Sequence, residues 1–219
     1  MVKIACFVPV RSGSKRIKNK NIVSFKRTNL LNFVLNKIIK SKKIDEFIIA
    51  SDSYKLFKKI KSKNKKITYF ERSKKTSGDK ATTESAILEY LDSKKNHPDI
   101  IILLQITNPF VKSQYLEGAI KMVLSKKNDC VFSAVQMNCF MWKNNPNSEP
   151  VNYNYKKRPR SQKFTKYFIE NGSFYIFYTK NFIKFKNRLH KKIAIYEMPK
   201  ESLHEIDDHQ DLKIVKKLI

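Results

Sequence analysis

At 219 residues, 41% of them hydrophobic, the chain can bury one sizeable core and is too apolar for disorder. Its 46 basic against 19 acidic residues give a net charge of +27, which raises a nucleic-acid binder as a rival class. The lysines are spread along the whole length, with clusters at 55–66, 156–166 and 184–192, and no zinc-finger, RNP-like or helix-turn-helix pattern accompanies them, so solvated lysine is expected rather than a specific nucleic-acid partner. No apolar run reaches membrane-span length, and Cys6, Cys130 and Cys139 lack metal-ligand spacing. A cytoplasmic protein with no membrane segment is expected.

In chain order, Lys3–Val10 reads as a buried parallel strand. It runs into Arg11-Ser12-Gly13-Ser14-Lys15-Arg16-Ile17-Lys18-Asn19-Lys20-Asn21, with five cations in the ten residues 11–20. Backbone N–H groups, hydroxyls and cations after a first strand suit an anionic ligand, most simply a polyphosphate. A helix is expected over 30–39, a strand over 46–50, a helix over 54–62 capped by a serine or aspartate of Ser51-Asp52-Ser53, and a short strand over 67–70. A helix over 83–93 and the strand Ile100–Gln105 follow, then a helix over 114–124 and a strand over 130–135. Residues 136–165 are polar, aromatic and irregular, too long for an ordinary connection and therefore a candidate arm. A strand over 172–177, a short helix over 180–186, a strand over 193–197, an acidic turn and a helix over 210–218 complete the pattern. Alternating strands and helices predict one α/β domain, 1–219, with a mostly parallel sheet covered on both faces.

Five stretches in order resemble the acylneuraminate cytidylyltransferases, over nearly the whole chain. They are Pro9–Arg16 with Lys18–Ile22; Arg72 with Asp79-Lys80-Ala81-Thr82-Thr83-Glu84-Ser85; Leu103-Leu104-Gln105-Ile106-Thr107-Asn108-Pro109; Arg158-Pro159-Arg160-Ser161-Gln162 with Asn171-Gly172; and Glu205-Ile206-Asp207-Asp208. Ile106, Asn108, Val111 and Lys163 depart from the family pattern, where proline, serine, arginine and aspartate are usual. The resemblance implies a Rossmann-like nucleotidyltransferase fold. It implies an enzyme transferring CMP from CTP to the anomeric hydroxyl of a nine-carbon, sialic-acid-like sugar acid, with release of pyrophosphate. It implies that Arg11, Lys15 and Lys20 hold the triphosphate with Ser12, Gly13 and Ser14, and that Asn21, Arg72, Ala81 and Thr83 hold the cytidine. Gln105, Thr107, Arg160, Gln162, Asn171 and Gly172 are then expected at the sugar acid, with Arg11, Lys20 and Asp207 as the catalytic set. It further implies a homodimer, for which 136–165 is the natural arm. A 3-deoxy-manno-octulosonate cytidylyltransferase is the nearest alternative.

The acid turn has its own physical reading. Alternation around Ile206 puts Glu205 and Asp207 on one side of an extended segment, where two carboxylates suit Mg2+. The same acids equally favour the start of the last helix through its dipole.

Overall fold

The computed structural model describes residues 2–14, 16–160 and 166–219. A seven-stranded sheet forms its centre. The strands are β1 (Ile4–Pro9), β4 (Glu46–Ser51), β5 (Ile67–Glu71), β6 (Ile100–Leu104), β7 (Cys130–Met137), β10 (Tyr167–Tyr178) and β11 (Ile193–Glu197), in spatial order β11-β7-β10-β6-β1-β4-β5. The small hairpin pairs β2 (Ser24–Phe25) with β3 (Thr28–Asn29) and β8 (Trp142–Asn144) with β9 (Ser148–Pro150) lie outside it.

β1 and β6 are buried on both faces, which is why they read as unbroken apolar runs. They pair in parallel, Ile4 opposite Ile100, and β1 pairs in parallel with β4 on its other side. Side chains alternate between two cores. Ile4, Cys6 and Val8 face α1 (Leu30–Ile38), α5 (Ser113–Leu124) and α7 (His209–Leu218). Ala5 and Phe7 face α4 (Thr83–Asp92) and α6 (Thr179–Phe185). The expected doubly covered α/β sheet is present, with one antiparallel member. β10 runs against both β6 and β7, and its register with β7 shifts between Glu170 and Tyr175. Such a bulge re-aims side chains, and here it lies beside the site.

Three local expectations need correction. The helix expected over 54–62 ends as α2 (Tyr54–Phe57). The Asn32 amide donates to Lys59 O and accepts from Lys61 N, so the backbone past Phe57 bonds to a side chain instead of continuing a helix. Ser53 is the N-cap of α2 but makes no side-chain bond to the helix, and the Asp52 carboxylate is held by Ser12. Residues 136–165 are not simply irregular. β7 continues through Met137, and the β8–β9 hairpin is braced by Tyr153, whose hydroxyl accepts from Trp142 Nε1 at 2.9 Å and whose ring packs on Phe140. A short helix, α3 (Lys74–Ser77), precedes α4. Among the described residues no helix is long and apolar enough to cross a membrane.

Candidate active site

The carboxyl ends of β1 and β6 open into a cleft of about 540 Å³, the expected place for a ligand in an open α/β sheet. The basic loop forms one wall. Arg11, Ser14, Arg16, Lys20 and Asn21 line it. The loop turns at Asn19 (φ 54), a left-handed conformation that asparagine tolerates, and enters a 3-10 turn over Lys20–Ile22. Asn21 is buried and donates its amide to Arg11 O at 2.8 Å, so it braces the loop from behind while lining the cleft. Ser12 is turned away from the cleft: its N–H and hydroxyl bond both oxygens of Asp52, at 2.8 and 2.6 Å. Among the described residues, a Cβ on Gly13 would meet nothing within 4 Å. Lys15 lies outside the described residues.

The second wall comes from the segment before α4, where Arg72, Gly78, Asp79, Ala81 and Thr83 line the cleft. Arg72 is buried, donates to Thr76 O, and keeps its Nε without a partner among the described residues. Burial pulls its pKa down, against Asp52 and Glu89. Arg11 bridges the two walls through Asp79 Oδ1 at 3.0 Å.

The floor is Gln105 and Thr107 beyond β6, facing the acid turn. Thr107 donates to Glu205 Oε1 at 2.6 Å, and Ile206 is fully buried between Glu205 and Asp207, so both carboxylates line the cleft. Lys20 Nζ reaches Ile206 O and Asp207 Oδ1, each at 3.1 Å, and Arg16 lies 3.4 Å from Asp207 Oδ2. The dipole alternative belongs to their neighbours: Asp208 and Asp211 form a reciprocal capping box on α7.

The two carboxylates fit a divalent cation. Burial pushes the Glu205 pKa up, and the Thr107 hydroxyl and Lys20 only partly offset it, so its charge is under-compensated. No group of three or more histidine, cysteine or acidic ligands exists among the described residues, so a metal here needs oxygens from a ligand and water, as Mg2+ accepts.

Two expected sugar-acid residues, Asn171 and Arg160, do not line the cleft. Asn171 is buried, and its side chain is consumed within the fold. Its Oδ1 accepts from Ser133 Oγ at 2.7 Å, and its Nδ2 donates to Ser202 Oγ at 2.9 Å. Asn108, a family departure, completes this brace by donating to Asn171 O and Ser202 O, each at 2.8 Å. Arg160 is exposed in the arm and absent from the cleft of this chain, and Gln162 lies outside the described residues. Val111, where the family has arginine, is fully buried in the core. Arg16 and Asp79 are cleft residues that the expected site omitted, although both stand inside recognised motifs.

Gly172 acts by being small. It has φ +64, and a Cβ there would stand 2.9 Å from Glu205 Oε2 and 3.1 Å from Gln105 Oε1. Gly172→Ala is therefore expected to displace both side chains and to cost roughly 1–2 kcal/mol in backbone strain alone. A melting temperature lower by a few degrees, with at least a tenfold loss of activity, is the expected pair of readings. A melt and rate equal to those of the unaltered protein would show the contact to be slack.

Known proteins are similar to this chain along its full length. Pseudaminic acid cytidylyltransferase of Campylobacter jejuni (strain 81-176) is 26% identical over 98% of this chain and 95% of its own. N-acylneuraminate cytidylyltransferase A of Danio rerio is 28% identical over 99% of this chain, which spans 50% of that longer protein. In fold, the chain matches a 4-diphosphocytidyl-2C-methyl-D-erythritol synthase from Anaerococcus prevotii with a TM-score of 0.74 at 13% identity, covering 99% of this chain and 96% of that one. It matches a CMP:2-keto-3-deoxy-manno-octonic acid synthetase, solved with CTP, with a TM-score of 0.71 at 14% identity over 99% and 98% of the two chains. A family model described as cytidylyltransferase matches residues 5–218, and the chain belongs to that family of nucleotidyltransferases.

Proposed function

We propose that the protein transfers CMP from CTP to the anomeric hydroxyl of a sialic-acid-like nonulosonic acid and releases pyrophosphate. One observation carries the reading: a single cleft gathers the basic loop, the Arg72–Thr83 wall, Gln105 with Thr107, and the carboxylates Glu205 and Asp207. In-line attack on the α-phosphorus asks the protein for positioning and charge neutralisation. Arg11, Arg16 and Lys20 take the triphosphate and the charge that grows on the leaving pyrophosphate. Arg72 and the backbone of Ala81–Thr83 hold the cytidine, and Gln105 and Thr107 meet the sugar acid. Glu205 and Asp207 hold Mg2+, which when bound draws phosphate oxygens together and neutralises them. Relatives named for pseudaminic and N-acylneuraminic acids both support the substrate class. The three free cysteines support a cytoplasmic setting.

Pyrophosphate release from CTP over a panel of pseudaminic, legionaminic and neuraminic acids, with 3-deoxy-manno-octulosonate beside them, tests the reading. Turnover of a nine-carbon acid is expected. Turnover of the octulosonate alone would replace the substrate assignment, and release with none would refute the function.

The arm extends the proposal. Trp142, Val151 and Tyr155 are each more than half exposed at its hairpin and following turn. A second copy covering them brings each arm toward its partner's cleft, which gives Arg160 a place at the sugar acid. Light scattering at micromolar concentration is expected to give twice the chain mass. A fully active monomer would remove this role from the arm.

A further inference from the structure

Arg188, in the loop between α6 and β11, stands in none of the recognised motifs. Its Nε donates to Glu84 Oε1 at 2.6 Å across 104 residues of sequence, and its guanidinium carbon lies 4.8 Å from the centroid of the Tyr175 ring. The ion pair is largely enclosed, with side-chain exposures of 20% and 22%. The Tyr175 hydroxyl donates in turn to Glu170. Among the described residues the terminal nitrogens of Arg188 have no hydrogen-bond partner, and they are not sealed from solvent. Burial works against the charged guanidinium, but Glu84 outweighs it and holds the pKa above its ordinary value.

The cluster is linked to the cleft through its neighbours: the charge of Glu205, which lines the cleft, acts on the Tyr175 hydroxyl. Glu84 follows Thr83, which also lines the cleft. Tyr175 stands opposite Leu103, two residues before Gln105, and Glu170 lies two residues before Gly172. A rigid guanidinium with free, planar donors, in a cluster whose neighbours line a binding cleft, is suited to meet a ligand oxygen.

We propose that Arg188 is a specificity-determining residue, whose free terminal N–H groups bind the carbonyl oxygen of an acylamido substituent on the acceptor sugar. This rests on the reading of the cleft as a nonulosonic acid site. Local charge selects the kind of oxygen. Glu84 already neutralises Arg188 and Glu170 lies beside the Tyr175 ring, so the cluster itself holds no unpaired cation for the sugar's carboxylate. A hydroxyl accepts but also brings a proton that needs its own acceptor. An amide carbonyl only accepts, matching a group that only donates.

The test compares the unaltered protein with Arg188→Met, and with the double variant Glu84→Gln/Arg188→Met, which leaves no acid unpaired if the single change unfolds the loop. Each is assayed with CTP and an N-acylated nonulosonic acid, and with the same acid bearing the free amine. The expected result is a rise in KM for the acylated acid of about ten- to a hundredfold, an unchanged KM for CTP, and loss of the preference for the acylated acid. A folded variant that keeps the unaltered protein's sugar KM and acyl preference overturns the role of Arg188 alone. Equal KM values for acylated and free-amine acids in the unaltered protein also overturn it. Absence of release by the unaltered protein with every nonulosonic acid overturns the reading beneath it, and this inference with it.

Discussion

Lys20→Ala is expected to lower the rate of pyrophosphate release by on the order of a hundredfold or more, with Arg11→Ala close behind. Lys20 is the less exposed of the two, at 17% against 39%, and its Nζ already spans the cleft to Ile206 O and Asp207. A cation fixed in a partly dehydrated site stabilises developing charge more than one in water. Arg11 has a similar task with more freedom, since its partner Asp79 is half exposed and a triphosphate can displace it. Neither side chain belongs to the two cores, so the variants should melt near the unaltered protein. Near-normal release from either purified variant would show that the basic loop does not face the reacting phosphates.

Asp207→Asn is the other change with a large expected effect, and it has a two-part signature. Asp207 pairs with Lys20 and Arg16 and is proposed to hold Mg2+ when CTP is bound. Asparagine keeps the shape and removes the charge. The rate should fall about a hundredfold at fixed Mg2+, while metal-free CTP binds more tightly because two cations are released toward it. Calorimetry with CTP in a chelator reads the second part. Glu205→Gln keeps an oxygen for the Thr107 hydroxyl and should mainly raise the Mg2+ needed for half-maximal rate. If Asp207→Asn keeps its rate and Mg2+ dependence, the metal lies elsewhere and the acid turn serves α7 alone.

What the sequence discloses here depends on how local the cause is. β1 and β6 were legible because burial on both faces demands an uninterrupted apolar run. The Glu205–Ile206–Asp207 alternation was legible for the same reason, since one buried isoleucine orients two neighbours. The β8–β9 hairpin was not: its strands are three residues long and almost wholly exposed, so no alternation records them. Asn171 sits inside a family motif, yet its neighbours Ser133 and Ser202 come from distant segments, and only the fold shows its amide to be occupied. The Arg188–Glu84 pair spans 104 residues and leaves no local trace at all. Of the serine or aspartate cap expected from Ser51-Asp52-Ser53, Ser53 holds the N-cap position without a side-chain bond, while Ser12, remote in sequence, holds both oxygens of Asp52.

The distribution of the three thiols equips the protein with its own reporter. Cys6 and Cys130 are buried, and burial pushes both pKa values up, away from the reactive thiolate. Cys139 alone is partly exposed, at the root of the arm between β7 and β8. A maleimide dye added to the native protein should therefore attach once per chain, without any engineered cysteine. Placed there, a donor–acceptor pair on two copies measures the separation of the two arm roots. The same label, followed while sugar acid is titrated in, tells whether the arm shifts when the cleft fills.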